Sequence, residues 1–239
     1  MLSEYKLNHV LFLDIETVPI CRHFNQMPEN YQKLFKEKFI KQQSENQSTE
    51  DFFEERAGII SEFAKIICIS VGIIDNKSSP WKFRIKSFFG DDETTILTDF
   101  CNLLNDKFNA SNYYLCAHNG KEFDFPFIAR RLLINSIPLP KKLDFSGKKP
   151  WEIKHLDTLE IWKFGDYKHY TSLNLLATIF NIPTPKDDIT GKEVKYVYWD
   201  DKDLKRIVNY CQKDTLTVAQ LLLKYKGEKI INPENVIIA

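Results

Sequence analysis

Glycine is scarce in this chain, with eight residues in 239, and glycine-rich phosphate loops are lacking. Neither a GxxxxGKS or GxxxxGKT segment nor a GxGxxG segment occurs, which argues against nucleoside-triphosphate and dinucleotide folds. Net charge is also lacking, because 33 basic residues balance 33 acidic ones. The sequence therefore lacks the basic excess that is typical of proteins that bind duplex DNA.

Paired cysteines and long apolar runs are lacking as well. The five cysteines show no CxxC spacing, and Cys68, Cys116 and Cys211 lie within apolar patterns, which indicates reduced core residues. The histidines show no H-x3-H spacing, so a zinc site is not expected. No apolar run approaches the roughly 20 residues that span a membrane, and the N-terminus shows no cleavable signal. We therefore expect a cytoplasmic protein without a membrane span.

The residues that are present predict one α/β domain over residues 1–239. The hydrophobic fraction of 43% and the 18 phenylalanines indicate a globular protein. β-branched runs and alternating patterns predict strands at Val10–Ile15, Ile66–Ile74, Trp81–Phe89, Tyr113–Ala117 and Trp151–Leu156. Apolar spacing predicts helices at 125–134, 157–163, 171–180 and 203–225, and a further helix after Asp91–Glu93 that carries Ile96, Phe100, Leu103 and Leu104. The polar residues 25–57 are expected to form an inserted helix plus loop.

Acidic residues in three segments stand out from this pattern. Asp14 and Glu16 follow an apolar strand at i and i+2, so both side chains lie on one face with Cα atoms about 6.5 Å apart. Asp214 lies in the last predicted helix, and at about 100° per residue it points to the same side as Ile207. Buried carboxylates repel one another and cost several kcal/mol unless they are compensated. Divalent cations with hard oxygen ligands, Mg²⁺ or Mn²⁺, would resolve that conflict.

Three short motifs carry a resemblance to a known superfamily. DIET, Asn119-x4-Asp124 and Tyr210-x3-Asp214 resemble the three motifs of the DEDD 3′–5′ exonucleases, in their tyrosine branch. The likeness is to the proofreading domains of family-B DNA polymerases and to their stand-alone bacterial relatives. It implies a ribonuclease H-like fold, a mixed central sheet with one antiparallel strand and helices on both faces.

The resemblance also implies an activity: two-metal hydrolysis of phosphodiester bonds from the 3′ end, which releases nucleoside 5′-monophosphates. Asp14 would bridge two Mg²⁺ or Mn²⁺ ions, Glu16 and Asp214 would complete one site, and Asp124 would hold the second ion. The hydroxyl of Tyr210 would orient the attacking water. The substrate would be single-stranded or 3′-frayed nucleic acid, with DNA favoured over RNA, and a polymerase or repair protein in trans is a candidate partner.

Several residues have competing interpretations. Thr17 and Asn119 would bind the terminal nucleotides if the resemblance holds, although an Asn at a strand end is commonly a turn former. Asp157 fits a helix N-cap, and the acidic triplet 91–93 fits a helix start. Asp187 and Asp188 fit a solvated turn.

Two other functional interpretations remain open at this point. A non-catalytic nucleic-acid-binding module could retain the same fold. Another two-metal phosphoesterase could reuse the D-x-E segment, although it would leave the pairing of Tyr210 with Asp214 without a purpose.

Overall fold

The computed structural model describes residues 2–44, 47–77, 79–166, 168, 170–183 and 189–239. The predicted turn at Asp187 and Asp188 lies outside the described residues, as does His169. Among the described residues, no helix combines the length and the apolar character that a membrane span requires.

A mixed sheet forms the centre of the described chain. Its six strands lie in the order β5-β4-β1-β2-β3-β6. They are β1 Val10–Pro19, β2 Ala64–Asp75, β3 Lys82–Phe89, β4 Tyr114–Ala117, β5 Leu156–Asp157 and β6 Val236–Ile238. Strand β2 is antiparallel to β1 and β3, and the other neighbouring pairs are parallel. The predicted ribonuclease H-like mixed sheet with one antiparallel strand is therefore confirmed.

Helices cover both faces of this sheet, and two more lie in the insertion. The α-helices of the described residues are α1 Glu29–Phe39, α2 Thr49–Arg56, α3 Glu93–Lys107, α4 Asp124–Ile134, α5 Thr158–Lys163, α6 Leu173–Ile179, α7 Val194–Tyr196 and α8 Leu204–Tyr225. A π-helical turn, Val197–Asp201, continues α7.

The alternation of side chains along β1 assigns the two faces. Leu11, Leu13 and Ile15 pack with residues of α3 and α4 in one core cluster. Val10 and Phe12 point the other way and pack against α8. Because β1 is covered on both faces, its sequence is a continuous apolar run until the first acidic residue.

The polar insertion differs from its prediction. It contains two helices, α1 and α2, where the composition indicated one helix plus a loop. The two helices bury a cluster of their own, formed by Phe24, Met27, Phe35, Phe39, Phe52, Phe53, Ala57 and Phe63. Because each phenylalanine buries a large apolar area, a few of them support a small core in a segment that is polar on average.

Two further elements differ at the ends of the sheet. Strand β5 begins only at Leu156, because Pro150–Glu152 form a 3₁₀ turn and Trp151 is 75% exposed. Strand β6 was not predicted, and it extends the sheet beside β3. The acidic triplet starts α3 as expected, since the Asp92 carboxylate accepts a hydrogen bond from the amide of Thr94 at 3.0 Å.

A buried ion pair joins α3 to α4. Arg131 donates to the Glu93 carboxylate at 2.5 and 2.9 Å, and both side chains are buried. Arg131 also donates to the carbonyl of Ser61 at 2.9 Å, while Glu93 accepts from Ile66 N at 2.7 Å and from Asn135 at 2.9 Å. Every charge in the network has hydrogen-bonding partners, which offsets the desolvation of the pair.

Arg131→Met should lower the free energy of unfolding by about 3 to 5 kcal/mol, because the Glu93 carboxylate would remain buried without its cation. Lys38→Met removes an exposed pair with Glu62, of 2.6 Å, and should cost at most about 1 kcal/mol. Urea unfolding of both variants gives the comparison. Equal losses of unfolding free energy in the two variants would contradict the stabilising role of the buried ion pair.

Candidate active site

The first two acidic residues lie on the face of β1 that α8 covers. Asp14 pairs with Ser70 of β2 and Glu16 with Cys68, so their side chains share the face of Phe12. A β-bulge between Glu16 and Thr17 then shifts the register. Bulges of this kind re-aim side chains and are common beside active sites.

Asp124 reaches the same region from the start of α4. It is buried, and it follows a loop in which Asn119 adopts the left-handed conformation, with φ of 61°. Asp157 holds this loop, because its carboxylate accepts from the amides of Asn119 at 2.9 Å and Lys121 at 3.0 Å. It also caps α5 through the amide of Leu159 at 2.9 Å, which confirms the predicted N-cap.

Helix α8 supplies the remaining side chains. Tyr210, Cys211 and Asp214 face β1, and the thiol of Cys211 donates to the carbonyl of Asp14 at 3.3 Å. The Tyr210 hydroxyl hydrogen-bonds to the half-buried Asp214 carboxylate one turn later. The helical spacing therefore brings the third segment to the first.

The carboxylates act on one another. Burial raises the pKa of Asp14 well above its ordinary value, and the charges of Asp214 and Asp124 raise it further. Burial likewise raises the pKa of Glu16 well above its ordinary value, and the charges of Asp14 and Asp214 raise it further. Burial also raises the pKa of Asp124 to about 7, although hydrogen bonds from the amides of Asp124 and Ile15 oppose the shift. Residues from three segments thus form one electrostatic cluster.

The cluster has the donors of a divalent-cation site. Asp14 Oδ2 is buried and has no hydrogen-bond partner in the described part of the chain. Ligand atoms of Asp14, Glu16 and Cys211 lie within 4.8 Å of one another. An unpartnered buried carboxylate oxygen is costly, and a cation would satisfy it. The oxygen-rich set fits Mg²⁺ or Mn²⁺.

Cys211 is the member of this group that the sequence did not single out. Its apolar surroundings identified a core residue, and it is fully buried beside Cys68 and Val208. Its position three residues before Asp214, on the same side of the helix, is the signal that links it to the site.

The two residues predicted to bind substrate are differently placed. The hydroxyl of Thr17 donates to the carbonyl of Gly58 at 2.6 Å, so it ties β1 to the end of the insertion. Thr17 also lines a cleft of about 660 Å³ beside Glu16, together with the partly buried ring of Phe123. Asn119 contributes its backbone amide to Asp157 and forms the turn that precedes Asp124. Its predicted contact with the substrate remains a prediction.

The comparison with protein families identifies the chain. Residues 59–229 match the family described as "Predicted 3'-5' exonuclease related to the exonuclease domain of PolB". The chain belongs to this family of predicted exonucleases. The matched residues include Asp124, Tyr210 and Asp214, whereas Asp14 and Glu16 precede them.

The structural comparison extends beyond the matched residues of this predicted exonuclease. The chain is similar in structure to the family B DNA polymerase from the hyperthermophilic archaeon Pyrobaculum calidifontis, with 16% identity and a TM-score of 0.53. The likeness covers 90% of the exonuclease chain and 24% of the polymerase chain, so the chain spans about a quarter of the polymerase. At this identity the likeness concerns the fold. No curated protein matches the chain.

The stability of the metal-free exonuclease should depend on pH through this cluster. The pKa of Asp124 is about 7 when folded, against 3.8 for the ordinary side chain. The folded state therefore binds more protons in this window, and stability is full below pH 3.8 and lost as pH rises through 7. The loss from Asp124 alone is on the order of 4 kcal/mol.

Urea unfolding in EDTA between pH 4 and pH 8 measures this dependence. Asp124→Asn should show a clearly smaller loss over the same range, since the amide does not ionise. The same pH dependence in the variant and in the wild type would show that ionisation of Asp124 does not cause the loss of stability.

Proposed function

We propose that this chain is a two-metal-ion 3′–5′ exonuclease that releases nucleoside 5′-monophosphates from single-stranded or 3′-frayed DNA. The observation that supports the proposal is the convergence of Glu16, Asp124 and Asp214 on Asp14, whose buried Oδ2 has no hydrogen-bond partner among the described residues. Membership of the exonuclease family supplies the reaction class.

The four carboxylates would share two Mg²⁺ or Mn²⁺ ions. Asp14 has a central position, since both Asp214 and Asp124 act on its pKa, and it suits the bridging role. Glu16 and Asp214 would complete one ion site and Asp124 the other. When bound, the ions would supply Lewis-acid stabilisation of the charge that develops on the phosphate and would activate the attacking water.

Tyr210 would position the attacking water. Burial, together with the charges of Asp214, Glu16 and Asp14, raises the pKa of its hydroxyl above the ordinary value of 10.0. A neutral phenol orients water by hydrogen bonding and does not need to accept its proton. The hydrogen bond to Asp214 fixes the direction of the hydroxyl.

The cleft beside Glu16 is the proposed place of the terminal nucleotide. Thr17, Phe123 and Ile59 line it, so it offers a polar edge and an apolar surface for a sugar and a base. The relation of the family to the exonuclease domain of PolB favours DNA as the substrate. A polymerase or repair protein in trans is the partner class that such an activity would serve.

A binding module without catalysis is a weaker interpretation. Such a module gains nothing from clustered buried carboxylates, because their repulsion lowers stability and disfavours a polyanionic ligand. Cations that compensate the cluster also meet the phosphate, so catalysis gives the cluster a purpose.

Asp14→Asn and Asp214→Asn should each reduce cleavage of a 5′-labelled single-stranded oligomer by about 1,000-fold or more, because each removes an oxygen ligand. Asp99→Asn, on the exposed face of α3, is the matched control and should retain wild-type activity. Parallel reactions with DNA and RNA oligomers, labelled at either end, report direction and sugar preference. Activity of either site variant within tenfold of wild type would overturn the two-metal assignment.

Tyr210→Phe keeps the ring and deletes one hydroxyl. We expect kcat to fall about 10-fold to 1,000-fold, with KM and melting temperature near wild type. Tyr225→Phe is the control on the same helix, because its buried hydroxyl has no hydrogen-bond partner among the described residues. An unchanged single-turnover rate in Tyr210→Phe would refute its role.

A further inference from the structure

The cleft beside Glu16 has two kinds of wall. One wall belongs to the sheet and includes Glu16 and Thr17 of β1. Another wall is built by α2 of the insertion, with Glu54 and Glu55, and by Lys195 and Tyr196 of α7. The match to the exonuclease family begins at residue 59, so α2 lies before the matched residues.

The insertion and α7 are joined within this wall of the cleft. The ammonium of Lys195 donates to the backbone carbonyl of Glu54, and both residues line the cleft. Arg22 binds the Asp200 carboxylate through two hydrogen bonds of 2.7 and 2.9 Å, and it lies 3.8 Å from the Glu54 carboxylate. The Arg22 guanidinium and the Lys195 ammonium lie 5.2 and 4.7 Å from the centre of the Tyr196 ring. The two parts of this wall therefore meet.

The insertion is a fixed element because its own core anchors it. Phe35 and Phe53 are fully buried in the phenylalanine cluster, and their ring centres are 5.5 Å apart. The hydrogen bond from Thr17 to Gly58 fastens the end of the insertion to β1, and that from Ile20 N to the carbonyl of Phe63, at 3.0 Å, adds a second tie. A packed element with ties of this kind is a wall with a defined position.

We infer that the insertion is an end stop for the substrate strand. It closes the cleft beyond Glu16, so that one terminal nucleoside with a free 3′-hydroxyl enters and a continuing strand does not. The inference rests on the proposed exonuclease function. It assigns the requirement for a strand end to α2 and to the contacts of Arg22 and Lys195.

The size of the cleft and the fixed position of its wall carry this inference. A volume of about 660 Å³ is that of a small-ligand site. A strand that continued past the terminal nucleoside would have to pass the wall that α2 and α7 form. Acidic and basic side chains both line the cleft, Asp51, Glu54 and Glu55 with Arg56, Lys192 and Lys195. The packed position of the wall, and not its net charge, therefore opposes the longer strand. A 3′-phosphate would meet the same wall and should also bind poorly.

Binding to an inactive protein tests the end stop separately from catalysis. Asp14→Asn, with fluorescent single-stranded DNA in Mg²⁺, should bind a linear strand with a 3′-hydroxyl about 10-fold more tightly than a 3′-phosphorylated strand or a circle of equal length. Adding Arg22→Ala and Lys195→Ala should reduce both ratios to about twofold or less. Lys38→Ala, which removes the exposed pair with Glu62 on α1, is the control and should leave the ratios unchanged.

The same wall variant in the active background gives a kinetic measurement. We expect KM for the linear strand to rise about 10-fold, kcat to stay within about threefold, and circular DNA to become a substrate. Arg22→Gln alone gives a milder loosening if the double substitution lowers the melting temperature, and it should change KM in the same direction. Unchanged ratios and an unchanged KM in folded wall variants would overturn the end stop and leave the exonuclease intact. A wild-type protein that degrades no linear strand would overturn the proposed function. The binding ratios would then still show whether the insertion discriminates a strand end from a continuing strand.

Discussion

The burial of like charges between β1 and α8 is the interaction on which the rest of this structure depends. Asp14 and Glu16 occupy a face of β1 that is otherwise apolar, and the charges of Asp124 and Asp214 raise the pKa values of both beyond the effect of burial. The metal-free fold therefore carries a destabilising centre, which stabilising contacts elsewhere must offset. Strand β1 can hold these repelling carboxylates in place because it is hydrogen-bonded to β2 on one side and to β4 on the other.

The position of α8 determines whether the cluster forms. Beside the carboxylates, the hydroxyl of Thr215 donates to the carbonyl of Ser70 at 3.3 Å. Farther along the helix, Gln220 exchanges hydrogen bonds with the backbone of Ile231 at 2.7 and 2.8 Å. These contacts fix both the rotation and the translation of α8. A rotation by one residue, about 100°, would carry Tyr210 and Asp214 away from β1.

The sequence predicts the parts of this molecule that local patterns encode. The alternation around Asp14 and the helical spacing around Asp214 locate the acidic residues on β1 and α8, as the structure has them. Contacts between distant segments are the parts it misses. Strand β6 has three residues and is defined only by pairing with β3. The role of Asp157 in holding the loop before Asp124 depends on a contact with Asn119, 38 positions earlier in the chain. The second insertion helix was missed because its core is completed by Phe24, Phe35 and Phe39, which lie in the preceding part of the insertion and its edge and not in the helix itself.

In the proposed function, the chemistry and the selection of substrate ends occupy different parts of the fold. The carboxylates lie on the central strand and on two helices that pack against it, where small displacements are opposed by the whole core. The insertion packs on its own phenylalanine cluster and meets the site along the cleft wall. A substitution in α2 can therefore alter which strand ends enter without moving Asp14 or Asp214. The family match is limited to residues 59–229, whereas the sheet that orders the site continues into β1 before the match begins, so two of the four carboxylates lie outside the matched residues.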